Sequence, residues 1–448
     1  MKQPLKRRKD RMKNNIYAEG IKELCRQKEN PKAFTRNRKI TVPDILLSTL
    51  NKQGRNVSFE IRDFELNKKG EKSVNYTDEA YLKQRRQLNP EVFKFLNDGY
   101  LKDFYHERKY VKRYKGYVVW AVDGSIYEIP NTNENRNKFG TKSRRSKEEK
   151  AVARAMVLGS YDVYNYFFGD VVIDKATTYE AKLCKQCIDR CVEINNKQKN
   201  LFVFDRLYPS MELFEYISSK YAKFVMRLST NDYVEEREMM KSDDEILEIK
   251  YNRHMKHHFK KKKPEIYEQI KDKESIKVRI VNVKLKTGET ESLITNILSN
   301  KFGIEDFKEI YRKRWEIEES YNSLKNKLKI EKFTGRLPIY IYQDIYAQVL
   351  VYNQIQDIIK EGNEQLQNKN RSKNLKREYQ INENRAIGLF KEQFIKIMLM
   401  ENRNEAVKAY DGLIEEMTKY VSIIRECREA ERKWNPSNKY HSNRGATF

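Results

Sequence analysis

The sequence predicts a mixed α/β protein in which a central sheet is flanked by helical regions at both ends of the chain. Three observations carry this prediction. Before residue 110 and after residue 346, apolar residues recur with a helical period and are bounded by capping residues and prolines. Between these regions, short apolar runs such as YVVWAV at Tyr117 have the length of strands. Several of these runs are followed by helical patterns, which is typical of a mixed sheet.

The N-terminal part divides into an arm and a helical region. Residues 1–15 carry seven basic residues against one aspartate, which predicts a flexible basic arm. Residues 16–110 are predicted to be helical, with one helix between a cap at Thr41 and a stop at Gly54, and another between Thr77 and Pro90. Such basic helical units fit a DNA-binding domain. A helical cap on the next domain, with a solvated basic face, is an equally good interpretation.

Residues 111–345 contain the predicted sheet. YVVWAVDGSIYEIP is interpreted as a buried strand, a turn at Asp123 and Gly124, and a second strand. LFVFD is a short apolar strand that ends at Asp205, and a helix begins after it at Pro209. The alternating pattern from about residue 224 to 300 predicts a β-rich insertion. Residues 346–448 are predicted to form a helical C-terminal domain.

The net charge of +26 on 448 residues points to a polyanionic partner. Aromatic residues make up 12% of the chain, which is too many for a disordered polycation, so the charge lies on a folded surface. Nucleic acid fits best, because neutralising its phosphates releases condensed counterions. A membrane is the weaker candidate, since the basic residues are spread along the chain and no apolar run approaches the roughly 18 residues of a span. The basic start lacks the apolar segment of a secretory signal, so we expect a cytoplasmic protein.

Two clusters of metal-ligand residue types are better explained without a metal. Cys184, Cys187 and Cys191 share one helical face, but no histidine lies nearby in the sequence to complete a zinc site, so packed thiols are the preferred interpretation. The cluster that begins at His254 runs into four lysines from Lys260, which would repel a dication. A solvated basic loop is preferred there.

The densest pattern of charged residues is YRKRWEIEESYNSLKNKL, which begins at residue 311. On a helix of 100° per residue, four side chains fall within one sector of about 60°, namely Tyr311, Arg314, Glu318 and Lys325. A carboxylate on this face can bind a divalent cation, while the two cations and the tyrosine hydroxyl bind phosphate oxygens beside it. Composition alone favours the alternative of a solvated helix stabilised by i, i+4 ion pairs.

Two aspartates favour the chemical interpretation over the solvated helix. Asp123 and Asp205 each follow an apolar strand directly, where the sheet fixes the side chain. Together with Glu318 they can hold two Mg²⁺ ions about 4 Å apart, one at the attacking and one at the leaving oxygen of a phosphodiester. Taken singly, an aspartate at a strand end is more often a cap or a turn residue.

The motif Y-x2-R-x3-E-x6-K, which starts at Tyr311, gives the chain a resemblance to a known family. The chain resembles the bacterial insertion-sequence transposases of the DDE type, which carry this motif on a ribonuclease-H-like core. AVDGS around Asp123 resembles the first catalytic motif of the family, and VFDRLYPS around Asp205 resembles the second. LITNIL before the motif and EKFTG after it also agree. The resemblance spans about residues 116–355.

The resemblance implies an α/β catalytic core of ribonuclease-H-like type, with a mixed five-stranded sheet and a β-rich insertion. It implies three catalytic residues that are also the metal ligands: Asp123, Asp205 and Glu318. It implies DNA phosphate contacts and accessory residues as follows: Tyr311, Arg314 and Lys325 for phosphates, Arg206 and Ser125 as accessories. The implied cofactor is Mg²⁺, with Mn²⁺ expected to substitute. The implied partners are double-stranded DNA, both transposon ends and target, and a second subunit in a homodimeric synaptic complex, without a membrane.

Some residues depart from the family pattern. Ser125 stands where threonine is more usual, and Leu207 stands where glycine is common. No tryptophan lies between residues 121 and 314, whereas hairpin-forming relatives stack a flipped base on such a residue, so the hairpin step stays open. Two alternatives to a transposase stay open as well. One is a metal-dependent nuclease without strand transfer, and the other is a catalytically dead, transposase-derived DNA-binding protein or repressor.

Overall fold

The computed structural model describes residues 3–36, 38–70, 74–141, 152–196, 198–285, 288–371 and 377–424. The N-terminal region is helical, as predicted. Its helices are α1 (Gln3–Tyr17), α2 (Ile21–Leu24), α3 (Val42–Leu50), α4 (Val57–Lys69), α5 (Asp78–Arg85) and α6 (Glu91–His106), followed by a 3₁₀ turn at Arg108–Tyr110. Thr41 and Thr77 cap α3 and α5 through their side chains.

The central region alternates strands and helices. In chain order its elements are β1 (Val118–Glu128), α7 (Asn133–Phe139), β2 (Arg154–Asp162), β3 (Phe167–Lys175), α8 (Glu180–Ile194), β4 (Asn200–Phe204), α9 (Met211–Ser219), β5 (Lys223–Arg227), α10 (Val234–Glu238), β6 (Asp244–Lys250), α11 (Arg253–Lys262), α12 (Pro264–Ile270), β7 (Ser275–Lys284), β8 (Thr290–Thr295), α13 (Ile304–Lys313), α14 (Glu316–Asn322) and a π-helical turn at Ser323–Lys327. Helices α11 and α12 interrupt the predicted β-rich insertion.

The C-terminal region contains α15 (Pro338–Asn370), β9 (Tyr379–Ile381), α16 (Glu383–Leu399), α17 (Arg403–Met417) and β10 (Val421–Ile423). The predicted C-terminal domain continues to residue 448, and its part after 424 lies outside the described residues. Among the described helices, none is long and apolar enough to cross a bilayer.

The central sheet has eight strands in the order β3-β2-β1-β4-β5-β8-β7-β6. Strands β3, β2 and β1 pair antiparallel, whereas β1, β4 and β5 pair parallel. The sheet therefore has three strands more than the five predicted for the catalytic core. Strand β8 adds antiparallel to β5, with Val225 opposite Thr295, so the strands of the insertion extend the central sheet.

Strand β1 lies in the middle of the molecule, with one hydrophobic cluster on each face of the sheet. Val119 and Ala121 face a cluster shared with the terminal regions and α15. Val118, Trp120 and Val122 face the other cluster, which contains α8, α9 and the insertion helices. This alternation is the period of two expected for a strand covered on both faces. The prediction of a turn at positions 123 and 124 is wrong, because β1 continues to residue 128 opposite β2.

The predicted flexible arm instead forms most of helix α1. Arg8 is buried and binds Asp357 of α15 through two nitrogens, at 3.0 and 2.8 Å. Tyr100 donates to the same carboxylate at 2.6 Å. The prediction of a flexible arm is wrong for this segment, because Arg8 has a buried acidic partner that holds the helix against α15.

The boundary predicted at residue 345 falls inside α15, which is buried along most of its length and packs on α3, α6 and β3. Asp344 of this helix is fully buried and pairs with Arg85 at 2.5 Å and with Lys52 at 3.6 Å. The N-terminal helices thus share their core with the central region. This is the packing expected of a helical cap.

The cysteines of α8 and the basic segment around His254 were the two clusters of metal-ligand residue types. Cys184, Cys187 and Cys191 are buried where α8 packs on the sheet, which confirms the interpretation as packed thiols. The segment predicted as a basic loop forms α11, capped by Asn252 and anchored by the buried side chain of Phe259. Its other side chains are exposed or half-buried, so a basic helix replaces the basic loop.

Candidate active site

The two aspartates lie on neighbouring parallel strands. Val122 of β1 is opposite Phe204 of β4, and each is followed directly by an aspartate. Adjacent strands are separated by about 4.8 Å, so Asp123 and Asp205 are neighbours at the same level of the sheet. Asp123 lies within β1, and Asp205 is the first residue after β4. Both positions follow from strand pairing alone.

The helical segment after β8 brings the third acid to this edge. Arg314 links the segment to the sheet: its Nη2 donates to Glu318 Oε1 at 3.1 Å, and its Nη1 lies 3.8 Å from Asp123 Oδ2. The hydroxyl of Tyr311 donates to Asp205 Oδ1 at 3.3 Å. The structure therefore brings the three acids together, with the Arg314 guanidinium between Asp123 and Glu318.

The segment is not the single regular helix assumed in the sequence analysis. Helix α13 ends before Arg314, α14 begins at Glu316, and the segment closes with the π-helical turn. Ile310, Ile317 and Leu324, spaced seven residues apart, are nevertheless all buried. Single π turns are frequent at functional sites, and this one contains Lys325.

Lys325 binds the strand just beyond the first aspartate. Its ammonium group donates to Ser125 Oγ and to the carbonyl oxygen of Ile126, both at 2.7 Å. Ser125 therefore contacts the basic residue of the motif. Arg206 is exposed, and its backbone N–H donates to Asp205 Oδ1 at 2.7 Å. Each of the predicted site residues lies at the same end of the β1 and β4 pair.

Asp123 carries an unfavourable negative charge in this setting. Burial, against the opposing charge of Arg314 and with the added charges of Glu180 and Glu318, raises the pKa of its carboxyl group to about 7. Burial also lowers the pKa of the Arg314 guanidinium, but the surrounding negative groups outweigh burial and raise it overall. Arg314 therefore stays protonated, and its single positive charge compensates the charge of the acids only in part.

Glu180 is a fourth acid at this site, and the sequence analysis missed it. It is the first residue of α8, and its Oε2 accepts a hydrogen bond from the Tyr208 hydroxyl at 2.6 Å. A glutamate in the first turn of a helix is explained by the helix dipole, so the local sequence gave no reason to single it out. Tyr208 lies within the VFDRLYPS motif, which is the one indirect signal.

The side chains at this site are of the chemical type that binds a hard divalent cation, although their present arrangement does not form a metal site. Carboxylate oxygens are the ligands that Mg²⁺ prefers, and three half-buried acids, Asp123, Asp205 and Glu318, lie around the single guanidinium of Arg314. Within the described residues, no group of three or more His, Cys, Asp or Glu side chains is arranged to hold a metal ion. Among the described residues, Nε of Arg314 is buried and has no hydrogen-bond partner. A buried donor without a partner lowers the stability of the folded state by about 1–3 kcal/mol. A shift of the guanidinium that gives Nε a partner would therefore be favourable.

Comparison with known proteins matches the central part of the chain to a protein family. The family model described as a transposase DDE domain matches residues 114–354. None of the curated proteins matches the chain. Among solved structures, the cryo-EM structure of a piggyBac transposase synaptic complex with hairpin DNA is similar at 9% identity and a TM-score of 0.43, with 96% of this chain and 88% of that chain covered. A TM-score below 0.5 is too low to establish a shared fold.

Proposed function

Since this chain belongs to the family of transposases with a DDE domain, which matches more than half of its length, we propose that it cleaves the ends of an insertion sequence and joins the 3′ hydroxyl groups to target DNA. The observation that supports this function best is the gathering of Asp123, Asp205 and Glu318 around Arg314. The net charge of +26 supports DNA as the substrate, because phosphate neutralisation dominates such binding.

In this proposal Asp123, Asp205 and Glu318 hold Mg²⁺, with Mn²⁺ as a substitute. When bound, the divalent cations neutralise charge at the attacking and the leaving oxygen of the phosphodiester. The five strands β3-β2-β1-β4-β5 form a ribonuclease-H-like core, and β8, β7 and β6 belong to the insertion. The sheet holds two of the acids on adjacent strands, which keeps their separation constant during the reaction.

The basic residues of the motif position the DNA. Arg314 compensates the acids, and once that negative charge is neutralised its guanidinium can bind a phosphate with two parallel hydrogen bonds. Lys325 lies against the residues that follow Asp123, so its ammonium group is suited to a phosphate next to the scissile bond. Tyr311 orients Asp205 through its hydroxyl and contributes to the same phosphate surface.

The resemblance further implies a homodimer that pairs two element ends, and a bacterial protein that acts on DNA in the cytoplasm. The N-terminal helices and the basic helix α11 supply additional positive surface for the duplex. Their contacts with DNA are sequence-independent in this proposal, because lysines bind phosphates as point charges.

The experiment compares Glu318→Gln with Glu319→Gln. Glu319 is the exposed neighbour on the same helix, so both variants lose one charge at nearly constant volume. The substrate is a plasmid that carries the gene with its own flanking DNA, and the assay measures Mg²⁺-dependent cleavage and joining of 3′ ends to a second plasmid. Glu318→Gln should reduce both reactions at least about a hundredfold, whereas Glu319→Gln should leave them unchanged.

Three outcomes would contradict the proposal. Cleavage by Glu318→Gln at the parent rate would show that Glu318 does not bind the metal ion. Cleavage by the parent without joining of pre-cut 3′ ends would indicate a nuclease. Tight DNA binding by the parent without either reaction would indicate a repressor derived from a transposase.

A further inference from the structure

The carboxylate of Glu180 is held against the backbone beside Asp123. A Cβ atom on Gly124 would lie 2.6 Å from Glu180 Cδ and 2.7 Å from its Oε1, closer than side chains approach one another. Gly124 is in extended backbone within β1, so the reason for a glycine here is the close approach of Glu180. The missing side chain leaves the space that the carboxylate fills.

Tyr208 fixes the other oxygen of the same carboxylate. Its ring is 1% exposed, and its hydroxyl donates to Glu180 Oε2 at 2.6 Å. The tyrosine lies three residues after Asp205, so the start of α8 is tied to the loop that carries the second aspartate. Glu180 therefore contacts the neighbourhood of Asp123 through one oxygen and that of Asp205 through the other.

This arrangement places the carboxylates of Glu180 and Asp123 close together in a partly buried site. In the part of the chain that the structure describes, Glu180 forms no ion pair with a lysine or arginine. Its negative charge nevertheless lies close enough to act on Asp123, where Arg314 already compensates two other acids. Like charges in a partly buried site repel, and a fold keeps them together where a metal ion offsets the repulsion.

We propose that Glu180 is a fourth carboxylate of the active site and binds the same divalent cation as Asp123, either directly or through a water molecule. The inference rests on the proposed function, since it adds a ligand to the metal site assigned there. Glu180 then limits the freedom of the cation next to β1, and Tyr208 and Gly124 hold the glutamate in place for that role.

The test measures Mn²⁺ affinity of the full chain without DNA, from the electron paramagnetic resonance signal of free Mn²⁺. Glu180→Gln is compared with Asp123→Asn and with a control, Glu91→Gln. Glu91 is the exposed first residue of α6, so the control removes the same charge from the same position of another helix. Glutamine keeps an oxygen that accepts from Tyr208, so the local fold is preserved. Glu180→Gln should weaken Mn²⁺ binding roughly tenfold, as expected for a supporting ligand. Asp123→Asn should weaken binding more, and Glu91→Gln should not change it.

The outcomes separate this inference from the proposed function. Parent-like affinity in Glu180→Gln together with a large loss in Asp123→Asn would overturn the inference alone. Parent-like affinity in both, or no Mn²⁺ binding by the parent, would overturn both. A purely structural role would instead lower the melting temperature of Glu180→Gln in EDTA without weakening Mn²⁺ binding. If Glu180→Gln does not fold, Tyr208→Phe releases the same carboxylate and should also weaken binding, and unchanged affinity there would overturn the inference.

Discussion

Replacing Asp123 with asparagine should stabilise the protein in the absence of divalent ions. The pKa of this carboxyl group is raised from its usual 3.8 to about 7 by burial, with Glu180 and Glu318 adding to the rise and Arg314 opposing it. The folded protein therefore binds a proton more tightly than the unfolded chain. The resulting stabilisation is fully present below about pH 3.8, is lost as the pH rises to about 7, and stays lost above that.

The size of the effect follows from the same values. Each pKa unit corresponds to about 1.4 kcal/mol, so the rise from 3.8 to about 7 corresponds to an upper limit of about 4 kcal/mol at pH 7 and above. The side chain of Asp123 is 20% exposed, so solvent screening removes only part of this. Neutral asparagine approximates the protonated form of Asp123. The attraction between the ionised carboxylate and Arg314, which the substitution also removes, is already included in the raised pKa. At pH 5.5 the expected advantage falls to about 2 kcal/mol.

The assay is urea unfolding in EDTA at pH 5.5, 7 and 8, with Asp272→Asn as the control. Asp272 is exposed, so its substitution should change the free energy of unfolding by less than about 0.5 kcal/mol at each pH. The advantage of Asp123→Asn should grow from pH 5.5 to 7 and then stay constant. Added Mg²⁺ should stabilise the parent and not the variant, since a ligand stabilises only the form that binds it. A variant less stable than the parent in EDTA at pH 8 would refute the reasoning.

Three further predictions concern stability and DNA. Asp344→Ala leaves Arg85 and Lys52 buried without their carboxylate, and should destabilise the protein by about 3–5 kcal/mol in urea unfolding; a loss below 1 kcal/mol would contradict a buried ion pair. Lys325→Ala should reduce end cleavage about tenfold or more while changing non-specific DNA binding less than twofold in a filter assay, and equal losses would contradict a placed phosphate contact. DNA affinity should fall steeply with salt, by about 0.9 logarithmic units per tenfold increase in salt for each phosphate neutralised, so a flat response would argue against the basic surface.

The arrangement of the sheet was predictable only where it depends on local pattern. The apolar runs before Asp123 and Asp205 gave strands β1 and β4, because a strand covered on both faces is a continuous apolar run. The pairing of Val225 with Thr295 was not predictable in this way, since these residues are far apart in the chain. The eight-stranded sheet depends on that non-local pairing, which a period of two does not encode.

The site shows the same division between local and non-local signals. The spacing of Tyr311, Arg314 and Glu318 fixed their common face, and the structure brings all three to the two aspartates despite the break between α13 and α14. Glu180 escaped notice because its relation to Gly124 is created by tertiary structure. The pairing of β1, β2 and β3 is what places the start of α8 beside β1, and no spacing in the sequence records that approach.

The position of Asp123 within β1 explains why the fold does not remove the energetic cost of its negative charge by moving the side chain away. On a loop, repelling carboxylates would move apart at little cost. On β1, Asp123 cannot move in this way, because it pairs with Gly159 of β2 and the preceding residue, Val122, is fully buried and pairs with Phe204 of β4. A cost of up to about 4 kcal/mol is a large part of the 5–15 kcal/mol typical of net stability, so its retention needs a compensating function. Protonation, Arg314 and a bound cation are the three ways to offset the charge, and only the bound cation leaves both the carboxylate ionised and the guanidinium available for DNA.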